Sequence, residues 1–208
     1  RGEPLCGVSL DYAKCFDKLP HEVLFGMAAR VGVPAPILGA LRAMYRQLRR
    51  RFKVGPFVGT EFSSTNGILQ GCPISVLLLN IFSQTWAAAI AAEVPGSNAK
   101  AYADDASATA KRPETVQLIL DVSAEFAKVT GMELHADKSA VWALVRAHRL
   151  QLQSANINGV EVPCLTQERV LGAQLSYSRR NVKTTLAKKL PGCKAACDRI
   201  EVSNLPME

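Results

Sequence analysis

The longest stretch without a charged residue runs from residue 62 to residue 92, and it limits what this chain can fold into. Apolar surface of this extent has to be buried, either in a protein core or in a membrane. Gln70 and Asn80 interrupt the stretch, and Pro73 lies near its middle, so the apolar part after the proline is short of the polar-free run that a spanning helix requires. We interpret it as a buried helix from Pro73 to about Ala92, and we expect no membrane partner.

The remaining pattern predicts a mixture of short strands and helices. Because these elements do not alternate regularly as strand–helix–strand units, the fold class is predicted to be α+β. The predicted helices are residues 21–31, 35–48, 113–130 and 181–200. The predicted strands are residues 5–12 and 138–145, two strands over 99–109 with a turn at Asp104 and Asp105, a hairpin of 51–58 with 61–65 joined at Gly59, and a hairpin of 160–163 with 169–175.

The charge balance favours an anionic partner. Lysine and arginine outnumber aspartate and glutamate by 25 to 18, a formal charge of +7, while 48% of the residues are apolar and can form a core. No acidic residue lies between Glu22 and Glu61, and we call residues 23–60 the acid-free segment. It is interpreted either as a solvated helix face or as a surface that contacts phosphates. Its basic residues are Arg30, Arg42, Arg46, Arg49, Arg50, Arg51 and Lys53.

The cysteines point to a reducing compartment. None of them forms a CxxC pair and the chain has only three histidines, so a zinc site is not expected. With no signal peptide, we expect reduced, mostly buried thiols and an intracellular protein. The six cysteines are Cys6, Cys15, Cys72, Cys164, Cys193 and Cys197.

Three aspartates are candidates for a metal site. Asp104 and Asp105 are adjacent within a segment of small residues, and Asp11 ends an apolar strand. Like charges repel, and a cation offsets that repulsion. Mg²⁺ usually binds one or two carboxylates together with substrate phosphates, so strands that bring Asp11 and Asp104 together would make a phosphoryl-transfer site. The alternative is an exposed turn with two solvated acids and a strand-end turn at Asp11.

Five segments resemble, in the family's order, motifs A to E of reverse transcriptases. The spacing and the Gln-Gly-Cys-Pro form are most similar to non-LTR (LINE-type) retrotransposon polymerases. The segments are Ser9–His21 (SLDYAKCFDKLPH), Gly67–Phe82 (GILQGCPISVLLLNIF), Tyr102–Asp105 (YADD), Gly131–Ser139 (GMELHADKS) and Val170–Gly172 (VLG).

The resemblance implies a role for each matching residue in RNA-directed DNA synthesis. Asp11 and Asp104 would hold two Mg²⁺ ions, with Mn²⁺ as an alternative, and Asp105 would lie beside them in the metal site, shaping it more than bridging the metals. Lys138 would act as a catalytic residue by protonating the pyrophosphate that leaves. The partners would be an RNA template, a DNA primer and a deoxynucleoside triphosphate.

The resemblance also implies substrate contacts. Phe16 would exclude the 2′-hydroxyl of a ribonucleotide, and Leu171 and Gly172 would belong to the hairpin that grips the primer. The other implied substrate-binding residues are Tyr12, Gln70, Gly71 and Tyr102. In motif D, His135 stands where the family more often has asparagine, which leaves the role of that segment open.

The implied architecture is a polymerase palm, a ferredoxin-like antiparallel sheet with helices on one face, over residues 1–175. The thumb would only begin over 176–208, and the fingers that precede motif A would be missing, as in a piece of a larger polyprotein or a degenerate copy. Two functions therefore compete: a polymerase, and an inactive retroelement remnant that only binds nucleic acid. A viral RNA replicase is disfavoured by the YADD sequence and by Phe16.

Overall fold

The computed structural model describes residues 4–170, 173–178 and 191, and it divides into two compact units, residues 1–164 and 165–208. The helices are α1 (Cys15–Lys18), α2 (His21–Arg30), α3 (Ala35–Gln47), α4 (Pro73–Glu93), α5 (Pro113–Thr130) and α6 (Arg146–Gln151). The strands are β1 (Cys6–Leu10), β2 (Lys53–Val54), β3 (Phe57–Val58), β4 (Asn98–Tyr102), β5 (Asp105–Ala110), β6 (Ala140–Ala143), β7 (Asn156–Ile157), β8 (Val160–Glu161), β9 (Cys164–Leu165), β10 (Gln167–Val170) and β11 (Ala173–Ser176).

The centre of the first unit is a sheet with the strand order β4-β5-β1-β6-β9. β1 is antiparallel to both β5 and β6, and β4 is antiparallel to β5. Cys6, Val8 and Leu10 are all buried in one core, as the period-two geometry of a strand requires when one face is covered. The predicted α+β class with an antiparallel sheet is confirmed.

Helices α4 and α5 cover the apolar face of this sheet. Trp86 of α4 is buried, and its indole N–H donates to the hydroxyl oxygen of Ser123 of α5 at 3.0 Å. Phe82 and Phe126 add a ring contact between the same helices at 5.2 Å. Apolar burial and a satisfied polar pair therefore fix the two helices to each other.

Helix α4 is also long and apolar enough to cross a membrane, with a mean hydropathy of 1.6 over its most apolar window. The core helix of a folded protein meets the same criterion of length and composition. Here Leu78, Leu79, Phe82 and Ile90 are buried in the core of the first unit. The predicted helix start at Pro73 is confirmed, and the helix ends at Glu93, one residue beyond the predicted end.

Local sequence signals predicted the ends of the helices accurately. Pro113 occupies the first turn of α5, and Gly131 ends that helix with a φ of 70°. Proline at a helix start and glycine just past its end are the residues that these conformations favour. Helices α2 and α3 likewise fall within the predicted ranges.

The predicted turns were less accurate. The hairpin of the acid-free segment turns at Gly55 and Pro56, not at Gly59, because β2 pairs with β3 and Gly55 adopts a φ of 58°. In the 99–109 segment the turn lies at Ala103 and Asp104, whereas Asp105 already belongs to β5.

The predicted hairpin of 160–163 with 169–175 is wrong. β8 pairs with β7 through the turn at Asn158 and Gly159, both at positive φ. In the second unit β10 pairs with β11. Each of these four strands thus pairs with its nearest neighbour along the chain. The predicted helix over 181–200 lies outside the described residues, except for Pro191.

Gly7→Ala tests how tightly the sheet is packed. A β-carbon at Gly7 would lie 2.6 Å from the carbonyl oxygen of Ala108 and 2.6 Å from Cζ2 of Trp142. Overpacking of this kind costs about 1–3 kcal/mol, so we expect the free energy of unfolding in urea to fall by that amount.

Gly39→Ala is the matched control, because Gly39 is exposed within α3 and a β-carbon there meets nothing within 4 Å. Alanine is the better helix former by about 0.5–1 kcal/mol, so this variant should be at least as stable as the wild type. A Gly7→Ala protein with unchanged stability would show that the sheet relaxes around the added methyl group.

Candidate active site

The register of β1 with β5 brings three acidic residues to one end of the sheet. Leu10 lies opposite Ala106, and Asp11 and Asp105 are the next residues beyond this pair. Tyr102 of β4 lies opposite Asp105 across the turn that holds Asp104. Residues about 93 positions apart in the sequence therefore meet because antiparallel pairing aligns the end of β1 with the start of β5. The structure thus brings together the three carboxylates of the predicted metal site.

The carboxylates influence one another electrostatically. Partial burial raises the pKa of Asp105 above its ordinary value, and the negative charges of Asp104 and then Asp11 raise it further. A like charge nearby disfavours ionisation, so this effect reports that the groups are close. The charges of Asp104 and Asp11 therefore disfavour the ionised form of Asp105.

Cys15 lies beside the acidic residues, and no motif singled it out as a residue of the site. Burial, followed by the charges of Asp104 and Asp11, raises the pKa of its thiol to about 12. A cavity next to it is lined by Tyr12, Phe82 and Trp86 of the core and also by Asp104 of the turn. The thiol is therefore neutral, and it packs as an apolar group beneath the turn that holds Asp104.

The motif D segment fixes the backbone of Asp11. The N–H of Asp11 donates to the buried Ser139 hydroxyl oxygen at 3.1 Å, and the N–H of His135 donates to the Asp11 carbonyl at 2.9 Å. The N–H of Ala13 also donates to the carbonyl of Glu133 at 2.8 Å. These bonds satisfy the backbone just past the end of β1, where the ladder no longer does so. Ser139 and His135 are positioning residues to which the motifs assigned no role.

The start of motif B is fastened to the end of motif A. The N–H of Gly67 donates to the Leu19 carbonyl at 2.9 Å, and the N–H of Ile68 donates to the Phe16 carbonyl at 2.7 Å. Gly67 has a φ of 82°, and a β-carbon there would lie 2.6 Å from the Asp17 carbonyl oxygen. Only glycine combines this conformation with this approach.

The Gly67 carbonyl is a shared acceptor. Nε2 of the buried His21 donates to it at 2.7 Å, and Nη2 of Arg50 donates to it at 2.9 Å. His21 in turn packs against Tyr45 with ring centroids 4.8 Å apart. Helix α2 and the acid-free segment therefore both hold the loop that leads into motif B.

The predicted substrate residues of motif B lie on that loop. Gln70 and Gly71 are exposed, and Gly71 has a φ of 83° with open space on its side-chain side. Cys72 precedes α4, and the backbone N–H groups of Ser75 and Ile74 lower the pKa of its thiol. The backbone links this loop to motif A, and it leaves the Gln70 side chain accessible to a ligand.

The other predicted residues differ in exposure. Tyr102 is 68% exposed, Phe16 is partly buried, and Tyr12 is buried with its ring edge-on to Phe82 at 5.6 Å. A ligand can therefore reach Tyr102, whereas the Tyr12 side chain belongs to the core. Lys138 is exposed and forms no ion pair within the part of the chain that the structure describes. The predicted primer-grip residues Leu171 and Gly172 lie outside the described residues.

The donor chemistry of this end of the sheet fits Mg²⁺. Carboxylate oxygens are its preferred protein ligands, and after burial the charges of Asp104 and Asp11 are what raise the pKa of Asp105. Within the described residues no group of three or more His, Cys, Asp or Glu side chains forms a ready-made metal cage. Mg²⁺ rarely uses such a cage, because substrate phosphates and water supply its remaining ligands.

Comparisons with known proteins agree with the motifs. A sequence profile of the family described as reverse transcriptase (RNA-dependent DNA polymerase) matches residues 1–178. This match covers most of the 208 residues, and the chain belongs to that family. The resemblance inferred from motifs A to E is confirmed.

Two relatives come from mobile elements. The chain is 27% identical over 168 residues to the retrovirus-related Pol polyprotein from the type-2 retrotransposable element R2DM of Drosophila melanogaster, covering 76% of this chain and 16% of that protein. It is 26% identical over 113 residues to the uncharacterized 149 kDa protein of transposon TX1 of Xenopus laevis, covering 50% of this chain and 9% of that protein. The predicted non-LTR retrotransposon class is confirmed, and the chain spans a small part of each relative.

Solved telomerase structures share the fold. Apo telomerase from Candida tropicalis, truncated from its C-terminal domain, superposes with a TM-score of 0.63 at 14% identity, over 88% of this chain and 36% of that one. Telomerase from the same organism with a TWJ fragment of telomeric RNA gives a TM-score of 0.61 at 13% identity, over 89% of this chain and 30% of that one. The predicted polymerase palm fold is confirmed.

Asp104→Asn tests the electrostatic coupling of the site. Removing that charge removes the larger of the two carboxylate effects on Asp105, so the pKa of Asp105 should fall toward its ordinary value. Asp11→Asn should lower it less. Titration of the carboxyl carbons by NMR without divalent cations measures both changes.

Asp121→Asn is the control, since Asp121 is an exposed carboxylate on α5 that bonds to Gln117. Because the pKa of Asp105 in the folded protein lies above its ordinary value, protonation of Asp105 favours the folded state. Its contribution to the free energy of unfolding is therefore lost as the pH rises through the pKa in the folded protein. An Asp105 titration that is identical in the wild type and in Asp104→Asn would contradict the coupling.

Proposed function

We propose that this chain catalyses RNA-directed DNA synthesis, the transfer of a deoxynucleotide from its triphosphate to a primer 3′-hydroxyl. The observation that carries the proposal is the meeting of Asp11 with Asp104 and Asp105 at the end of the β1–β5 ladder. In-line nucleotidyl transfer depends on positioning and on the stabilisation of phosphate charge, and a fixed group of carboxylates provides the anchor for both.

Asp11 and Asp104 are proposed to hold two Mg²⁺ ions, with Asp105 beside them and Mn²⁺ as an alternative. When bound, the ions would supply activation of the attacking oxygen and stabilisation of the leaving one. The chain's own contribution is to fix the carboxylates: the bonds of the Asp11 backbone to Ser139 and His135 prevent it from moving away from the turn at Asp104.

The remaining residues are proposed to contact substrates. The exposed Lys138 lies between His135 and Ser139, which both bond to Asp11, and we assign to it the proton that the departing pyrophosphate accepts. Gln70 and Gly71 would face the nucleotide and template, and Tyr102 would lie by the primer end. Tyr12 would take part through its backbone, because its side chain is buried.

The proposed partners are an RNA template, a DNA primer and a deoxynucleoside triphosphate. A telomerase of the same fold has been solved with an RNA fragment, and the relatives extend well beyond the aligned part. We therefore propose that this chain is part of a larger polyprotein that supplies fingers and a thumb, and from its cysteines we propose that it is intracellular. The intact acidic residues favour a polymerase over an inactive remnant that only binds nucleic acid.

Asp104→Asn should abolish primer extension on a poly(rA) template with an oligo(dT) primer and Mg²⁺. Asp104 would act through the metal that it holds, and the loss of one electrostatic contribution to the stabilisation of phosphate charge typically costs about 100-fold or more in rate, or ~2.7 kcal/mol. Asp121→Asn, which replaces an exposed carboxylate of α5, should extend the primer like the wild type. Extension that survives in Asp104→Asn would rule out the metal assignment.

Phe16→Ala should relax the selection of the sugar. Without the ring, a 2′-hydroxyl no longer meets a steric barrier, and we expect ribonucleotide incorporation relative to deoxynucleotide incorporation to rise by about tenfold, equivalent to ~1.4 kcal/mol. Single-nucleotide incorporation with either substrate measures the ratio. Phe16→Tyr keeps the ring and should keep the discrimination, and an active Phe16→Ala enzyme with an unchanged ratio would remove Phe16 from this role.

A further inference from the structure

The β2–β3 hairpin projects an apolar face into solvent. Val54 lies opposite Phe57, so both side chains point to the same side, and Phe52 precedes Val54 by two residues. The exposed fractions are 72% for Phe52, 75% for Val54 and 77% for Phe57. Three large side chains this exposed on one small hairpin are typical of a binding surface.

One of these rings is held in place. Phe52 stacks on Phe62 with centroids 4.9 Å apart and an interplanar angle of 22°, while most of Phe52 remains exposed. The N–H groups of Arg50 and Phe62 each donate to the other's carbonyl, at 2.9 and 3.0 Å. The outer face of the Phe52 ring is therefore a fixed, open platform, whose ordering contributes little entropic cost to binding.

The cations around the hairpin fall into two groups. Arg50 donates to the Gly67 carbonyl, Arg51 forms an ion pair with Glu61, and Arg42 pairs with Glu22, so these three stabilise the fold. The second group has no ion pair within the described ranges of the chain and is available to an anion. Its members on either side of Phe52 are Arg46, Arg49 and Lys53.

We propose that the β2–β3 hairpin binds single-stranded RNA, with bases stacked on Phe52 and Phe57 and phosphates contacted by Arg49 and Lys53. Aromatic platforms next to cations are the way in which proteins hold single strands without reading their sequence. The proposal rests on the proposed function and assigns the acid-free segment to the RNA template.

Charge decides between RNA and a protein as the occupant. Interface cores between proteins are depleted in lysine, whereas this hairpin carries Lys53, whose side chain alternates with those of Phe52 and Val54 and lies opposite Val58. No acidic residue occurs from 23 to 60, so an anion is attracted to the whole segment. Because Arg50 bonds to Gly67, the hairpin is also attached to the loop of motif B.

The test is the affinity of the 208-residue chain for a fluorescent oligo(rU), measured by anisotropy over a range of KCl concentrations. Phe52→Leu combined with Phe57→Leu keeps the apolar bulk and removes the rings, and we expect the affinity to fall by about tenfold or more, because the bases lose the aromatic faces on which they stack. Phe52→Tyr with Phe57→Tyr should bind like the wild type.

The phosphate contacts have their own readout. Arg49→Ala with Lys53→Ala should reduce the slope of log affinity against log salt by about 1.4, because each phosphate contact to a single strand contributes ~0.7. Leu118→Ala with Val129→Ala removes exposed apolar side chains from α5 and should change neither affinity nor slope. Thermal unfolding of every variant checks that the fold is retained.

Three results would overturn the proposal. The first is a wild-type chain that does not bind the RNA, and the second is a pair of leucine substitutions that leaves the affinity unchanged. The third is a wild-type chain that sediments as a dimer and leucine variants that sediment as monomers with no other change, because the hairpin would then join two copies of the chain. The proposed function is tested separately, because Asp104→Asn should lose primer extension and still bind RNA. If the wild-type chain does not extend primers but its leucine variants lose RNA binding, the result supports RNA binding by the hairpin and counts against the proposed polymerase activity.

Discussion

The antiparallel pairing of β1 with β5 is the constraint on which the rest of the site depends. Its register sets Asp11 next to Asp105, and a shift by one residue would turn Val8 and Leu10 from the core to the open face of the sheet. The burial of the apolar face therefore also fixes the position of the acids. Charges that repel one another stay together because the core outweighs their repulsion.

A second set of bonds joins segments that are distant in sequence. Gly67 accepts hydrogen bonds from His21 and Arg50 through its carbonyl and donates its N–H to Leu19, so one residue couples motif A, helix α2 and the acid-free segment to motif B. Each of these bonds is short and joins the backbone of Gly67 to a fixed element. Motif B is thus positioned by the loop before it as much as by helix α4.

The sequence predicted what local signals determine. Pro73, Pro113 and Gly131 mark helix ends through their own backbone preferences, and the helices begin or end there. Two-residue strands such as β2 and β8 are too short to show a period-two pattern, and their pairing depends on the turns. The Asn158–Gly159 turn between β7 and β8 is a local hairpin signal that the predicted pairing of 160–163 with 169–175 did not use. The metal-site acids were recognisable from the motifs, but Ser139 and His135 were not. His135 donates its backbone N–H to Asp11. That hydrogen bond does not depend on the histidine side chain, which is the part of His135 that departs from the family pattern.

The contrast between two cysteines has a practical consequence. Cys15 is buried beside carboxylates that raise the pKa of its thiol, whereas helix N–H groups lower the pKa of Cys72 on the motif B loop. Thiolate is the reactive form, so alkylating reagents at neutral pH discriminate between the two. Of the four cysteines in the described ranges, Cys72 is the one whose pKa is lowered. A spectroscopic label attached there would sit beside Gln70 and Gly71, and the thiol under the acidic turn would remain unmodified.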